Sequence, residues 1–202
     1  MRISYRVLFL LAAGFAGSTA SFAQGPAQSR IRGTIDTVNA HEMHVTTRSG
    51  QKVTLKLPDD ARVTLIAPIA IDAIKTGSFI GTAATTQPDG TLKALEIQVF
   101  PESMRGVGEG QQAWDMAPDT TMTNGTVGDL KVANGRTLQL TYKGGEKTVF
   151  VPPNAPIITY EPGSRAALVP SAHVLVTATH NADETLTATR IGVGKDGLVP
   201  PM

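Results

Sequence analysis

Residues 89–99 read DGTLKALEIQV, and residues 183–193 read DETLTATRIGV. The two stretches match at a constant offset of 94 residues. The matching pairs are Asp89 and Asp183, Thr91 and Thr185, Leu92 and Leu186, Ala94 and Ala188, Ile97 and Ile191, and Val99 and Val193. Ile74 and Leu168, like Ile80 and Val174, are related by the same offset. This many similar pairs at one offset indicate an internal repeat.

The repeat extends toward the N-terminus with small changes in offset. Gly33-Thr34-Ile35 corresponds to Gly125-Thr126-Val127, and Met43-His44-Val45 corresponds to Leu138-Gln139-Leu140. Differences in loop length account for this drift. We therefore predict two homologous units at residues 30–100 and 124–194, a connector at 101–123 and a C-terminal tail at 195–202.

Each unit has the pattern of short β-strands. In the first unit, apolar and polar residues alternate in 31–38, 43–47 and 52–57, and Ser49-Gly50 and Asp89-Gly90 supply turns between strands. Period-two alternation predicts half-buried strands, and evenly spaced short strands are typical of a small barrel or sandwich. We expect an all-β protein in which two small antiparallel barrels are joined by a connector containing Gly, Met and Trp residues.

The pattern of these residues resembles a known kind of domain. Gly33-Thr34-Ile35, Met43 and Val45, Val53 and Leu55, and the run from Asp89 to Val99 are similar to exported bacterial β-barrel repeat domains of unknown function. This resemblance implies an OB-like topology for both tandem barrels and implies no reaction, because the shared positions are turn and core residues.

The N-terminus has the pattern of a secretory signal peptide. Arg2 and Arg6 precede the apolar run 7–16, and small residues follow up to Ala23. The apolar run is too short for a permanent transmembrane helix. We predict cleavage after Ala23, a periplasmic or secreted mature protein that begins at Gln24, and no membrane span in that form.

Composition restricts the classes of function. The chain has no Cys, which excludes disulfides and thiolate metal sites. Loss of residues 1–23 removes two Arg and no acidic residue, so the formal net charge changes from +1 to −1. Basic residues are scattered and aromatic residues are few, which argues against nucleic acid as a partner. No nucleophile, acid and base pattern stands out, so we do not expect an enzyme.

Copper binding is one alternative function. His41 and His44 flank Met43, and imidazole with thioether suits copper. Alternating side chains on a strand would point His41 and His44 to opposite faces, and Met43 aligns with the apolar Leu138, so a structural role for this stretch is the competing interpretation.

The connector contains a second group of candidate copper ligands, Met104, Met116 and Met122, beside Trp114. These side chains could instead pin the connector between the two units, since a buried Trp contributes a large apolar area. Trp114 is also our candidate partner-binding residue. We therefore expect a non-catalytic exported module that binds an unknown protein or small ligand without a resident cofactor, with a periplasmic copper-handling protein as the alternative.

Overall fold

The computed structural model describes residues 27–131 and 136–201. The predicted signal peptide and its cleavage site at Ala23 lie outside the described residues. Within the described ranges the protein is all-β, with short 3₁₀ turns at Ile71–Ala73, Glu102–Met104, Arg165–Ala167 and Lys195–Gly197. The strands are β1 (Gln28–Val38), β2 (Glu42–Thr47), β3 (Lys52–Lys56), β4 (Arg62–Pro68), β5 (Phe79–Thr86), β6 (Leu92–Val99), β7 (Gly110–Ala113), β8 (Thr120–Lys131), β9 (Arg136–Tyr142), β10 (Gly145–Val151), β11 (Ile157–Pro162), β12 (His173–His180) and β13 (Leu186–Gly194). No helix in these ranges is long and apolar enough to cross a membrane.

The strands form one continuous sheet that closes on itself twice. In the first closed sheet the order is β13-β12-β1-β2-β3, and β3 returns to pair with β13. In the second the order is β10-β9-β8-β5-β6, and β6 returns to pair with β10. Strands β4 and β11 lie between them, paired with each other in antiparallel fashion and with β13 and β6, respectively, in parallel. Each closed sheet therefore contains five strands.

This pairing corrects one expectation from the sequence, that each unit closes on itself. The first closed sheet takes β1, β2 and β3 from the first unit but β12 and β13 from the second. The second takes β8, β9 and β10 from the second unit but β5 and β6 from the first. The physical reason is the path of β4 and β11, which are about 20 Å long and lead the chain out of one closed sheet into the other.

The ladders of the two closed sheets match in detail. Ile80 pairs with Val99, and Val174 pairs with Val193. Both ladders contain an irregularity at matching positions, between residues 83 and 84 in one and between 177 and 178 in the other. The parallel closure joins Leu55 to Leu186 in the first sheet, and Val149 to Leu92 in the second.

Each closed sheet surrounds its own apolar core. Ile35, Met43, Val45 and Leu55 are buried in the first with residues of β12 and β13, and Ile80, Leu92, Ile97, Leu138 and Leu140 are buried in the second. A third cluster lies where β4 meets β11, built from Ile66 and Ile158 with Tyr160, Leu175 and Leu198 around them. Leu198, in the segment 195–202 that was predicted to be a tail, thus packs against the body of the protein.

Candidate functional site

The structure places the two candidate copper-binding His residues near the β1–β2 turn. His41 is exposed, and its backbone N–H and that of Glu42 donate to the Asn39 side chain. His44 lies on β2 with Nδ1 3.0 Å from the Thr54 hydroxyl. Met43, between them in sequence, is fully buried in the first core. The chain therefore uses Met43 as a core residue and holds His44 to β3.

The three connector Met residues lie on different elements. Met104 ends a 3₁₀ turn, Met116 is half-buried in the loop after β7, and Met122 is buried on β8, where it pairs with Ala83 of β5 and Gln112 of β7. His41 and His44 belong to the first closed sheet, whereas Met122 belongs to the second. No group of three or more His, Asp or Glu side chains in the described ranges could hold a metal ion. Copper binding stays a prediction.

The connector is more ordered than a flexible joint. It forms β7, and β8 already begins at Thr120, inside the predicted connector. The Thr120 hydroxyl donates to the backbone oxygens of Trp114 and Ala117, which fixes the loop between β7 and β8. The sequence did not reveal this hairpin because residues 110–113 lack apolar alternation.

Trp114 and Asp115 attach this loop to the first closed sheet. The guanidinium of Arg30 lies 3.8 Å from the centre of the indole ring, a cation–π contact. Arg32 donates to both oxygens of Asp115 at 2.8 and 3.3 Å, and Arg30 lies 3.6 Å from the same carboxylate. Burial alone would raise the pKa of Asp115, but the hydrogen bond and charge of Arg32 outweigh it and hold that pKa below its usual range. The connector is thus pinned to β1.

A buried polar chain lies beside the contact between β4 and β11. Tyr160 donates its hydroxyl to the Gln98 side chain at 2.7 Å, and Gln98 donates to Glu96 at 2.7 Å. Glu96 is fully buried on β6, and its second carboxylate oxygen has no hydrogen-bond partner among the described residues. Burial raises the pKa of Glu96 to about 7, against the opposing effects of Gln98, Arg32 and Arg48. Period-two alternation did not predict the burial of Glu96, because an irregularity in the β5–β6 ladder shifts the register of the strand there.

A cleft of about 540 Å³ opens on the first closed sheet where β13 changes partner from β3 to β4. Residues of β13, the β3–β4 loop and the start of β1 line it, and its charged side chains are Arg62, Arg190 and Asp60. Arg62 and Arg190 are register partners in the parallel β4–β13 pair. No pattern in the sequence indicates this site, because 128 residues separate the two arginines and only the pairing of β4 with β13 brings them together.

Comparison with known proteins supports part of the interpretation. Residues 140–192 match the model of a domain of unknown function, DUF5666. No curated protein and no solved structure matches the chain. The matched segment extends from β9 to β13, so within this fold it supplies strands to both closed sheets.

Proposed function

We propose that this protein is an exported, non-catalytic binding module, built from two OB-like barrels that exchange strands between the halves of a duplicated unit. The constant offset in the sequence and the matching ladders support the duplication. The two sheet closures and the two separate cores support the barrels. The signal pattern of residues 1–23 supports export.

The observation that carries the binding role is the cleft beside Arg62 and Arg190. It combines concave shape, two cations in adjacent strands and the polar side chains Gln28 and Thr187. Rigid paired strands supply every part of its wall except the β3–β4 loop, and Arg165 fixes that loop by donating to the backbone oxygens of Leu57 and Pro58. A site with fixed walls needs little reorganisation to bind a ligand.

A thermal-shift screen of the mature protein, residues 24–202, tests this function. The panel contains anionic, neutral and cationic small molecules, and the double variant Arg62→Glu/Arg190→Glu serves for comparison. We expect compounds that raise the melting temperature of the wild type but not of the variant, and mass spectrometry should recover these compounds chemically unchanged. Conversion of a bound compound would contradict the non-catalytic role, and equal shifts in both proteins would remove the cleft as the site.

Export has its own test. Full-length protein produced in a bacterium should be recovered from the periplasm or the medium, and mass spectrometry should give a chain that begins at Gln24. A cytoplasmic chain that retains Met1 or Arg2 would overturn the proposed localisation.

A further inference from the structure

We propose that Arg62 and Arg190 form an oxyanion site, which binds the carboxylate or phosphate group of a small organic acid. This inference rests on the proposed binding function and adds the chemical class of the ligand. Arginine suits this role because its planar guanidinium presents several donors that match both oxygens of a carboxylate or phosphate.

The register of the sheet directs both guanidinium groups toward the same side. Arg190 pairs with Arg62, and the next residues along the two strands, Ile191 and Val63, pair with each other. Ile191 is buried in the first core, and Val63 packs against it. Side chains alternate along a strand, so Arg62 and Arg190 lie on the outer face, one beside the other.

Two adjacent like charges on paired strands repel each other and cost stability. Neither Arg62 nor Arg190 has a hydrogen-bond or ion-pair partner among the described residues, although other arginines of the protein do. Arg30 and Arg32 share Asp115, and Arg165 contacts Asp59. The carboxylate of Asp60 lines the same cleft without an ion pair to either guanidinium. An anionic ligand would relieve this repulsion.

The fold itself does not require this pair of arginines. The matching positions of the second closed sheet, 94 residues away in each case, hold Glu96 and Pro156. Glu96 is fully buried there, whereas Arg190 is exposed. The same backbone arrangement thus forms without a basic residue at either position. The arginine pair is a property of this one cleft.

Neighbouring side chains add donors for an anion. The Thr187 hydroxyl accepts a hydrogen bond from the Asn181 amide at 2.9 Å, so its own O–H remains able to donate. Gln28 contributes an amide from β1. The cleft volume of about 540 Å³ exceeds the space that a single inorganic ion fills, which favours an organic acid.

Isothermal titration calorimetry of the mature protein at low ionic strength tests the proposal, with succinate and inorganic phosphate as probes. We expect at least one probe to bind, and binding should weaken about tenfold or more in Arg62→Gln/Arg190→Gln, because both charge-assisted contacts are lost. The double variant Lys75→Gln/Lys93→Gln makes the same change in net charge at exposed positions outside the cleft and should bind like the wild type. Thermal melting of each variant establishes that it is folded.

The pattern of results separates the possible ligands. Binding of succinate alone assigns a carboxylate ligand, binding of phosphate alone assigns a phosphate ligand, and either supports the site. If the double Gln variant does not fold, Arg62→Lys and Arg190→Lys take its place in the test. They keep the charge but remove the planar fork, so they should bind the probe with intermediate affinity. The oxyanion site is overturned if neither probe binds, or if Lys75→Gln/Lys93→Gln loses as much affinity as Arg62→Gln/Arg190→Gln. The broader binding function would still stand if a neutral compound from the thermal-shift screen binds the cleft.

Discussion

Ile66 of β4 lies directly opposite Tyr160 of β11 in the antiparallel pair between the two closed sheets. The two residues are 94 positions apart, which is the offset that relates the matching residue pairs of the sequence. The register is symmetric about this pair, since Thr64 lies opposite Pro162 and Pro68 lies opposite Ile158. The proposed duplication therefore explains why the centre of the fold is a pairing of matching strands, as at the interface of a symmetric dimer.

Cleavage of the chain in the connector should leave one particle. A protease site inserted between Gly106 and Val107, both exposed, would give two fragments that each contribute strands to both closed sheets. Because several strand ladders join the fragments, we expect them to coelute on size-exclusion chromatography after cleavage and to separate only in denaturant. Separation in native buffer would mean that each unit closes on itself.

Gly125 should be intolerant of a side chain, whereas Gly128 on the same strand should not. A Cβ on Gly125 would lie 2.5 Å from the backbone oxygen of Thr141, which cannot move without disturbing the ladder. A Cβ on Gly128 would make ordinary contacts at 3.7 Å or more. We expect Gly125→Ala to cost about 1–3 kcal/mol in urea denaturation and Gly128→Ala to change little. Equal effects would show that the close approach at Gly125 is not maintained in solution.

The sequence predicted the strands better than it predicted their partners. Alternation and turn residues identify β2 and β3 almost to the residue, and the alignment of Met43 with Leu138 correctly indicates that Met43 is a core residue. Neither signal states which closed sheet a strand joins, because a strand of one unit presents the same apolar face to both possible partners. That choice depends on the direction in which β4 and β11 leave their sheets.

The same limit applies to the candidate site. Arg62 and Arg190 meet only through a parallel pairing between the two units, so no local pattern could reveal them. Trp114 contacts Arg30 and its neighbour Asp115 contacts Arg32, but the sequence did not identify either partner. Long-range contacts between polar side chains have no sequence period, unlike the burial of apolar side chains.

Loss of the Trp114 side chain should loosen the connector. Trp114→Ala removes the cation–π contact with Arg30 and the partly buried indole surface, and we expect a loss of roughly 1–2 kcal/mol in unfolding free energy. Trp114→Phe keeps an aromatic face for Arg30 and should recover part of that loss. If the Ala variant were as stable as the wild type, the contact with Arg30 would not hold the connector in solution.

Copper titration tests the alternative function. We expect the variant with Met104, Met116 and Met122 changed to Leu to bind Cu(I) no more weakly than the wild type, because Met122 is buried on β8, away from the strand that carries His44. Leu preserves most of the packing volume, so similar melting temperatures would verify the comparison. One tightly bound ion in the wild type and none in the variant would instead establish a thioether site.

Glu96 should make the protein less stable as pH rises through neutrality. Burial raises its pKa to about 7 in the folded protein, from an ordinary value of 4.5. Between these values the folded state binds a proton that the unfolded state has released, so the stabilisation is fully present below pH 4.5 and is lost as pH rises through 7. Glu96→Gln cannot ionise but can still accept the hydrogen bond from Gln98, so it should remove this pH dependence.

Urea denaturation of wild type and Glu96→Gln at pH 5 and pH 8.5 measures the effect. We expect similar stabilities at pH 5 and a more stable variant at pH 8.5, by roughly 3 kcal/mol at most for a pKa displaced this far. Titration of the other carboxylates, including Asp183, whose pKa the Thr185 and Lys56 side chains lower to about 2, affects both proteins equally and cancels in the difference. Parallel stability curves for the two proteins would mean that water solvates the carboxylate of Glu96, or that Arg32 or Arg48 rearranges to form an ion pair with it.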